Sequence, residues 1–485
     1  MTDTTAIGEK LGGEEFLDVE AAIQNNASKH HHHAPARSSL TQQQPSSIRK
    51  FFCYPSPNSL KIKSTSWLDG VRGIAALGVY IFHTMGCWAS LGAAWHSDEN
   101  QNSILQMPLL RTLFVFGSPA VALFCILSGY VLTYKSLSWM RNGSRHRVYP
   151  SLASSMFRRG FRLYIPPILV TFCEMLMTRF GVNPPLNFTF VPESNLFDQF
   201  IDWIQETNRF VNPVYIFKDS MQGHVHDHKY DPVIWTIPVE LYGSFYCYIM
   251  LFFLAKAPSN SMRMGLIALF AGVCMVLGSW NLFCFSAGML IADFNLSQGE
   301  DNTVISFKPR RREVVWMTIF AAAFYLAGFP SLLDPAVKLK PMPGYETIRW
   351  LIPTSLNLTN PSWFWWSISG VSFLLSISQL PRLKKIFETN LLQYLGRISF
   401  SLYLLHEFCL LLFGLKIQSI LMSVAGLQPK SNTFVYWIAC GIWYILFTAL
   451  VFAVAARFEK WVDVPSVKFA RWLEGKCLKI YRTSR

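Results

Sequence analysis

The chain has 485 residues, of which 51% are hydrophobic and 15% are charged, with a formal net charge of +14. Soluble proteins have roughly 25% charged residues, so this composition argues against a water-soluble multidomain enzyme and favours an integral membrane protein. The basic residues lie in short segments between apolar runs rather than on one soluble face, so the charge does not indicate a nucleic-acid partner.

The N-terminal segment, residues 1–60, is polar and contains a glutamine run at 42–44 and four consecutive histidines at 30–33. A composition of this kind is typical of a disordered tail. Histidines are metal ligands, but a histidine tract in a tail more often has no chemistry. We therefore predict a disordered tail over residues 1–60.

Apolar runs follow one another through the rest of the chain. A run of about 20 residues crosses the hydrocarbon core as a helix, and ten runs come near this length. They lie at 67–88, 110–134, 161–181, 232–255, 263–279, 280–293, 314–331, 361–379, 394–415 and 434–457. The sequence therefore predicts an all-α integral membrane protein, with about ten transmembrane helices in a domain over 67–460.

Lys and Arg are concentrated in alternating connections between these runs, whereas the connection at 89–109 has none and the segment 184–231 is net acidic. Cytoplasmic connections hold more Lys and Arg than those outside. The pattern predicts that both termini are cytoplasmic, with 461–485 as a basic tail. The membrane is expected to be the endoplasmic reticulum, another endomembrane or the plasma membrane. Glycosylation sequons at Asn187 and Asn357 fall outside, but others fall inside, so they do not test this topology.

Ionisable residues within the apolar runs require an explanation, because a charge at the bilayer centre costs about 2.5–3.5 kcal/mol. In the first run, Arg72 and His83 are 11 residues apart, which places them on one helix face about 16 Å apart. A long ligand lying along the helix would contact both. Alternatively, Arg72 reaches the membrane surface and His83 bonds to a neighbouring helix.

With the N-terminus inside, His83 lies in the outer half of the bilayer, and other ionisable residues lie at a similar depth. They are Glu240, Glu174 and the adjacent pair His406 and Glu407. Two imidazoles and several carboxylates at one depth indicate a polar cavity in which a hydroxyl could be deprotonated.

The third run begins on the cytoplasmic side with Arg158, Arg159 and Arg162. Arginines bind phosphate groups through paired hydrogen bonds, so this cluster is a candidate phosphate site. The alternative is that the arginines only anchor the helix at the inner membrane surface.

Five separated segments carry a family resemblance. They are Trp67 to Leu77 with Phe82 and His83, Phe124 to Thr133, Arg159 to Arg162 with Tyr164 and Pro166, Trp235 to Glu240, and Tyr394 to His406. In this order they resemble the acyltransferase-3 family of integral-membrane acyltransferases, in a eukaryotic and perhaps fungal form. Thr236 stands where the family usually has Ser, and Pro238 lies within the same motif, but neither departure removes an ionisable group.

The resemblance implies transfer of an acyl group, commonly acetyl from acetyl-CoA, to a hydroxyl of a carbohydrate or small metabolite. Acyl-CoA is then a co-substrate, and no permanently bound cofactor is expected. The hypothesis that follows has His83 as the general base and Glu240 as the group that orients it. The remaining assignments are Arg72, Arg159 and Arg162 for the acyl-CoA phosphates, and His406 and Ser401 on the acceptor side.

Two other functions are compatible with part of this pattern. A proton-coupled secondary transporter or exporter also uses intramembrane His, Glu and Arg residues, although the two halves of the chain show no internal repeat. A non-catalytic binding subunit of the same family is the other alternative, and the presence of Arg72, His83 and Glu240 argues against it.

No metal site is predicted. The ten Cys contain no CxxC pair, so neither a disulfide framework nor a zinc module is indicated. The segment 223–231 holds His224, His226, His228, Asp227 and Asp231. It could bind a metal or line the acceptor entrance, but a solvated loop is the expected structure.

Overall fold

The computed structural model describes residues 65–89, 91–97, 103–182, 190–221, 226–300, 309–333, 340–428 and 433–483 of the chain. The predicted tail over 1–60, its histidine run, His224 and the sequon at Asn187 lie outside these ranges.

Within the described ranges the chain forms helices and turns, with no β-strand. Lipid cannot hydrogen-bond to the backbone, so apolar runs of this length satisfy their N–H and C=O groups internally as helices. In chain order the helices are α1 (Ser66–Gly86), α2 (Gly117–Arg141), α3 (Val148–Thr178), α4 (Leu196–Val211), α5 (Pro213–Met221), α6 (Thr236–Leu254), α7 (Asn260–Val276), α8 (Trp280–Glu300), α9 (Pro309–Ala327), α10 (Glu346–Trp350), α11 (Trp363–Gln379), α12 (Pro381–Phe387), α13 (Asn390–Cys409), α14 (Leu415–Val424), α15 (Phe434–Phe458) and α16 (Val464–Thr483). Each of the ten apolar runs coincides with one of them.

Five helices of the described part are long and apolar enough to cross a membrane. They are Gly117–Arg141, Arg145–Thr178, Pro232–Leu254, Asn390–Val424 and Phe434–Lys479. By contrast, α7 and α11 have 17 residues each, fewer than the roughly 20 that span the hydrocarbon core. Helix α1 carries Asp69, Arg72 and His83. The helical class of the prediction is confirmed, but the count of ten transmembrane helices is not.

Helices α1 and α13 run parallel and in direct backbone contact. Near their starts, the side chain of Gln393 donates a 2.8 Å hydrogen bond to the carbonyl of Ser66. Further along, Gly73 meets Gly396, where a Cβ added to Gly73 would lie 2.5 Å from the Gly396 nitrogen. Small residues allow such close approach between membrane helices. The contact fixes the rotation and alignment of the two helices.

A buried ion cluster joins α2, α7 and α8. Asp293 accepts hydrogen bonds of 2.8 Å from two guanidinium nitrogens of Arg263 and one of 2.6 Å from Arg141. All three side chains are almost fully buried. Because each charge has an ionic partner, the cluster holds the three helices together without leaving a lone buried charge.

The C-terminal segment 461–485, predicted as a basic tail, contains helix α16. A π-helical turn, Glu459–Asp463, joins it to α15 without a break. Glu474 of α16 lies 3.3 Å from Arg158 of α3, and the rings of Phe469 and Phe161 meet edge to face. The segment therefore packs against the part of α3 that holds the arginines.

Candidate active site

A cavity of about 180 Å³ lies between α1, α2, α3, α6 and α13. Its lining is mixed, with apolar side chains such as Phe124 and Phe400 beside charged ones. The polar and charged residues of the lining are Asp69, Arg72, Ser128, Arg159, Arg162, Thr236, Glu240, Ser399 and Tyr403. The predicted cavity surrounded by ten helices is not confirmed, but all three predicted acyl-CoA-binding arginines line this one.

Glu240 and Arg159 form the central ion pair of the cavity. An Arg159 nitrogen lies 2.6 Å from one Glu240 oxygen, and the hydroxyl of Ser128 donates a 2.6 Å hydrogen bond to the other oxygen. Arg159 also donates a 2.9 Å hydrogen bond to Ser244. These bonds fix the guanidinium plane, which is the geometry that paired recognition of a phosphate requires.

Arg72 and Arg162 bring two further positive charges to the same cavity. Their charges interact with each other, with Arg159 and with the carboxylate of Asp463, which follows the end of α15. Arg158 is directed elsewhere, because its partner is Glu474 of α16. Of the three arginines at the start of the third run, Arg159 and Arg162 line the cavity.

A second polar cluster lies at the far ends of α1 and α13. His83 Nδ1 is 3.8 Å from a Glu407 carboxylate oxygen, and the rings of His83 and His406 have centroids 5.0 Å apart. His406 is fully buried, whereas the side chain of His83 is 20% exposed. The structure thus brings together the two histidines that the sequence placed at one depth.

Hydrogen bonding fixes the tautomer of His406. Its Nδ1 lies 2.7 Å from the carbonyl oxygen of Tyr403, a backbone acceptor, so Nδ1 carries the proton. Nε2 therefore presents a lone pair, and it has no hydrogen-bond partner among the described residues. Tyr403 also lines the arginine cavity, so this residue connects the two polar sites.

Two more buried carboxyl groups lie near this cluster. The charge of Glu174 interacts with those of Asp231 and Glu407. Neither oxygen of Glu174 has a hydrogen-bond partner in the described part of the chain. Buried carboxyl groups need hydrogen-bonding partners, so this region suits a ligand with hydroxyl groups, which can both donate and accept.

The predicted residues divide between the two sites. The carboxylate of Glu240 bonds to Arg159 and Ser128, and so belongs to the arginine cavity, whereas the carboxylate beside His83 is that of Glu407. Ser401 is buried in α13 and has no hydrogen-bond partner within the described ranges. The residues of α13 that line the cavity are instead Ser399, Phe400 and Tyr403.

The described part of the histidine-containing loop before α6, residues 226–231, is packed against the protein rather than solvated. His226 is hydrogen-bonded to Asp219 at 2.6 Å, and His228 Nδ1 accepts the backbone N–H of Tyr230 at 3.2 Å. Both imidazoles are nearly fully buried, and burial lowers the pKa of His228 to about 4. The expectation of a solvated loop is wrong, because α4 and α5 cover it and supply its hydrogen-bond partners.

Sequence reasoning did not single out Ser128, Ser244 or Asp463. Ser128 lies within one of the motif segments, but a lone Ser in an apolar helix carries no signal of its partner. Asp463 was missed because its segment is strongly basic and was read as a tail.

Comparison with known proteins shows what this chain is similar to. It is 28% identical over 457 residues to O-acetyltransferase PaAT-1 of Phomopsis amygdali, with 89% of each chain covered. It is 26% identical over 465 residues to acyltransferase clz18 of Cochliobolus lunatus, covering 85% of this chain and 95% of the relative. It is 25% identical over 477 residues to acyltransferase R4 of a Phoma species, covering 87% of this chain and 96% of the relative. No solved structure matches the chain.

The family model of an acyltransferase domain matches residues 65–454. The match begins at the start of α1 and contains every predicted site residue and all five motif segments. The chain belongs to the acyltransferase-3 family, as those segments predicted.

Proposed function

We propose that the protein is an O-acyltransferase that transfers an acyl group, most simply acetyl, from acyl-CoA to a hydroxyl of a carbohydrate or small metabolite. The observation that carries this proposal is the pairing of an arginine-lined cavity with a His and Glu cluster, connected through Tyr403. The family supports acyl transfer, and the printed name of one relative, an O-acetyltransferase, supports acetyl and a hydroxyl acceptor.

Arg72, Arg159 and Arg162 bind the phosphate groups of the donor in this proposal. Three guanidinium groups in one cavity present the hydrogen-bond donors and the positive charge that the phosphate groups of acyl-CoA require. Glu240 and Ser128 act as positioning residues, since they hold the Arg159 guanidinium by hydrogen bonds on both carboxylate oxygens.

The acyl thioester then lies further along α1, near His83. The 11 residues between Arg72 and His83 correspond to about 16 Å along a helix, so a donor anchored at the arginines extends its pantetheine arm toward the imidazole. The membrane orientation predicted from the basic connections places the arginines on the cytoplasmic side.

His83 is the general base. It takes the proton of the acceptor hydroxyl while that oxygen attacks the thioester carbonyl. Collapse of the tetrahedral intermediate breaks the C–S bond and expels the CoA thiolate, which takes the proton from the imidazolium and returns His83 to its neutral form. Glu407, at 3.8 Å, stabilises the imidazolium that forms. This role was expected for Glu240, but Glu407 is the nearer carboxylate. His406 and Ser401 remain candidates on the acceptor side.

The acceptor is a neutral hydroxyl-rich molecule. Buried carboxylate oxygens of Glu174 and Glu407, together with Nε2 of His406, offer hydrogen-bond acceptors near His83. Hydroxyl donors satisfy such groups directly. The membrane lipid and the acyl-CoA are the other partners in this proposal, with both termini cytoplasmic.

The experiment uses purified full-length protein in lipid nanodiscs, given radiolabelled acetyl-CoA and fractions of a metabolite extract. Wild-type protein should release CoA and label an acceptor, and His83→Ala should lower the rate by about 10² or more, since general-base catalysis contributes that much. His146→Ala, in an exposed turn, is the control.

Full activity in His83→Ala would reject the assignment of the base. Donor dependence unchanged by replacement of Arg162 would reject the phosphate role. A carrier would neither bind nor consume the thioester, so the same assay distinguishes an acyltransferase from a transporter. Comparing acetylated metabolites of a deletion strain with those of its parent then identifies the acceptor.

A further inference from the structure

We propose that His83, His406 and Glu407 form a binding site for a divalent transition-metal ion, with Zn²⁺ as its representative, and that an ion bound there stops acyl transfer. The binding part of this inference stands on the cluster alone. The inhibitory part rests on the proposed function, because it assumes that His83 is the base.

The three side chains have the composition of a zinc site. One ligand atom from each, two imidazole nitrogens and a carboxylate oxygen, lies within 4.8 Å of the other two. Two histidines and a glutamate are a known ligand set for Zn²⁺, bound at about 2.0–2.2 Å. Ligand atoms around one ion at such distances are roughly 3.3 Å apart. Rotation of the partly exposed His83 side chain provides the closing movement.

Two candidate ligand atoms have no hydrogen-bond partner in the described part of the chain. They are Nε2 of His406 and Oε2 of Glu407, and both are buried. Each is a hydrogen-bond acceptor when His406 is neutral and Glu407 is ionised, and no described group donates a hydrogen bond to either atom. Buried polar atoms left in this state are costly. A cation shared by the three groups satisfies both atoms at once.

The second ring nitrogen of His406 makes the kind of hydrogen bond that metal-bound histidines make. Its Nδ1 donates to the carbonyl of Tyr403 at 2.7 Å, which fixes the ring and leaves Nε2 unprotonated. Metal-bound histidines characteristically donate their second nitrogen to a carbonyl or carboxylate in this way. Formation of the site therefore requires no change of tautomer at His406.

The framework of the site is rigid. His83 and His406 each lie ten residues beyond the contact of Gly73 with Gly396, where the backbones of α1 and α13 meet. Parallel helices in fixed alignment hold ligands more precisely than loops do. The exposed fraction of His83 gives an ion access, and three protein ligands leave a fourth position open, as in reactive zinc sites.

Binding of the ion has a direct chemical consequence. A coordinated neutral imidazole gives the lone pair of one nitrogen to the metal and carries its proton on the other nitrogen, so neither can accept the proton of a hydroxyl. Metal binding and base catalysis at His83 are therefore mutually exclusive, whichever nitrogen binds the ion. The expected result is reversible inhibition by Zn²⁺ over the concentration range in which the ion binds.

Binding is tested with Co²⁺, whose visible absorption reports coordination by nitrogen and oxygen ligands, in the full-length protein freed of metal by a chelator. Because the histidine run at 30–33 can itself bind metal, these four residues are replaced by alanine in every protein compared. With the cluster intact, the protein should bind one equivalent of Co²⁺, which Zn²⁺ displaces. His406→Ala and the isosteric Glu407→Gln should each weaken binding at least about tenfold, the usual cost of a lost ligand interaction. His146→Ala should bind as wild type does.

The proposal would be overturned if the wild type did not bind Co²⁺, or if both cluster variants bound it as tightly as the wild type does. Size-exclusion profiles and melting temperatures establish whether the variants are folded. If His406→Ala does not fold, the binding measured for Glu407→Gln decides the test. In the activity measurement, Zn²⁺ should inhibit acyl transfer by the wild type, and a chelator should restore that activity. Full activity at saturating Zn²⁺ would overturn the inhibitory part. If no acyl transfer is found with any acceptor, the Co²⁺ result still decides the metal site.

Discussion

Gly73 of α1 lies against Gly396 of α13, and His83 and His406 stand ten residues beyond this contact on their respective helices. Because the helices are parallel, equal distances from the contact place the two imidazoles side by side. The glycine pair thus determines the geometry of a site about 15 Å away along the helix axes.

The glycine contact is testable by adding a single methyl group. Gly73→Ala places a Cβ 2.5 Å from the backbone nitrogen of Gly396, where only movement of a helix can relieve the overlap. We expect a loss of roughly 1–3 kcal/mol of stability, as for other overpacked sites, and a loss of acyl transfer. Melting temperature and activity measure the two effects.

Gly86→Ala is the matched control, since it lies at the end of the same helix and its added Cβ has no neighbour within 4 Å. There the substitution should be neutral or stabilise the helix by up to about 1 kcal/mol. Equal melting temperatures for the two variants would contradict the structural role of the contact.

The two carboxylates should separate kinetically. Glu240→Gln removes the charge that holds Arg159, so the apparent KM for acyl-CoA should rise roughly tenfold, the equivalent of one charge-assisted hydrogen bond. Glu407→Gln removes the charge beside His83 and should lower kcat with little change in the donor KM. The reverse pattern would show that Glu240, and not Glu407, supports the base.

Asp463 is expected to compete with the donor for positive charge. Its carboxylate interacts with both Arg162 and Arg72, the residues proposed to bind phosphate. Asp463→Asn should therefore lower the apparent KM for acyl-CoA several-fold, by roughly 1 kcal/mol at this partly screened site. A donor titration measures it, with Glu474→Gln as the control for a general effect of the C-terminal segment. A raised KM would instead indicate that Asp463 positions the arginines.

The loop before α6 should lose stability in acid because of His228. Burial lowers the pKa of this imidazole to about 4, with a smaller opposing effect from Glu206 and a reinforcing one from Arg209. The backbone N–H of Tyr230 already occupies Nδ1, so protonation would also break that bond. Between pH 6.5 and 4 the unfolded chain takes up a proton that the folded one does not, so stability falls as the pH decreases.

The full effect of that shift is on the order of 3 kcal/mol. Melting temperatures at a series of pH values measure it, and hydrogen exchange at 226–235 localises it. His228→Gln removes the titrating group and should flatten the dependence between pH 6.5 and 4. An identical slope in this variant would assign the acid sensitivity to another group.

Sequence reasoning was most successful where one helix carries the whole signal. The alignment of Arg72 with His83 follows from helical periodicity, and the depth of His406 follows from counting residues. The partner of Glu240 did not follow, because it depends on how α6 is rotated against α3. That rotation is set by packing between helices and not by any pattern within one of them.

The predicted count of ten membrane spans is not confirmed, for a related reason. Helices that carry charged residues, such as α1 with Asp69 and Arg72, are less apolar than a lipid-exposed span, and α7 and α11 are short. Apolar runs therefore located the helices correctly without establishing which of them cross the bilayer. The C-terminal helix was missed because its basic composition resembles that of a solvated tail.

The unbroken passage from α15 through the π-helical turn into α16 bears on where the domain ends. The family match stops at residue 454, but Glu459, which lies 3.1 Å from Arg397, and Asp463 come after it. A protein truncated at the end of the match would keep every motif and lose both carboxylates from the arginine-rich end of the bundle. The packed helical bundle of this chain therefore extends beyond the segment that the family model matches.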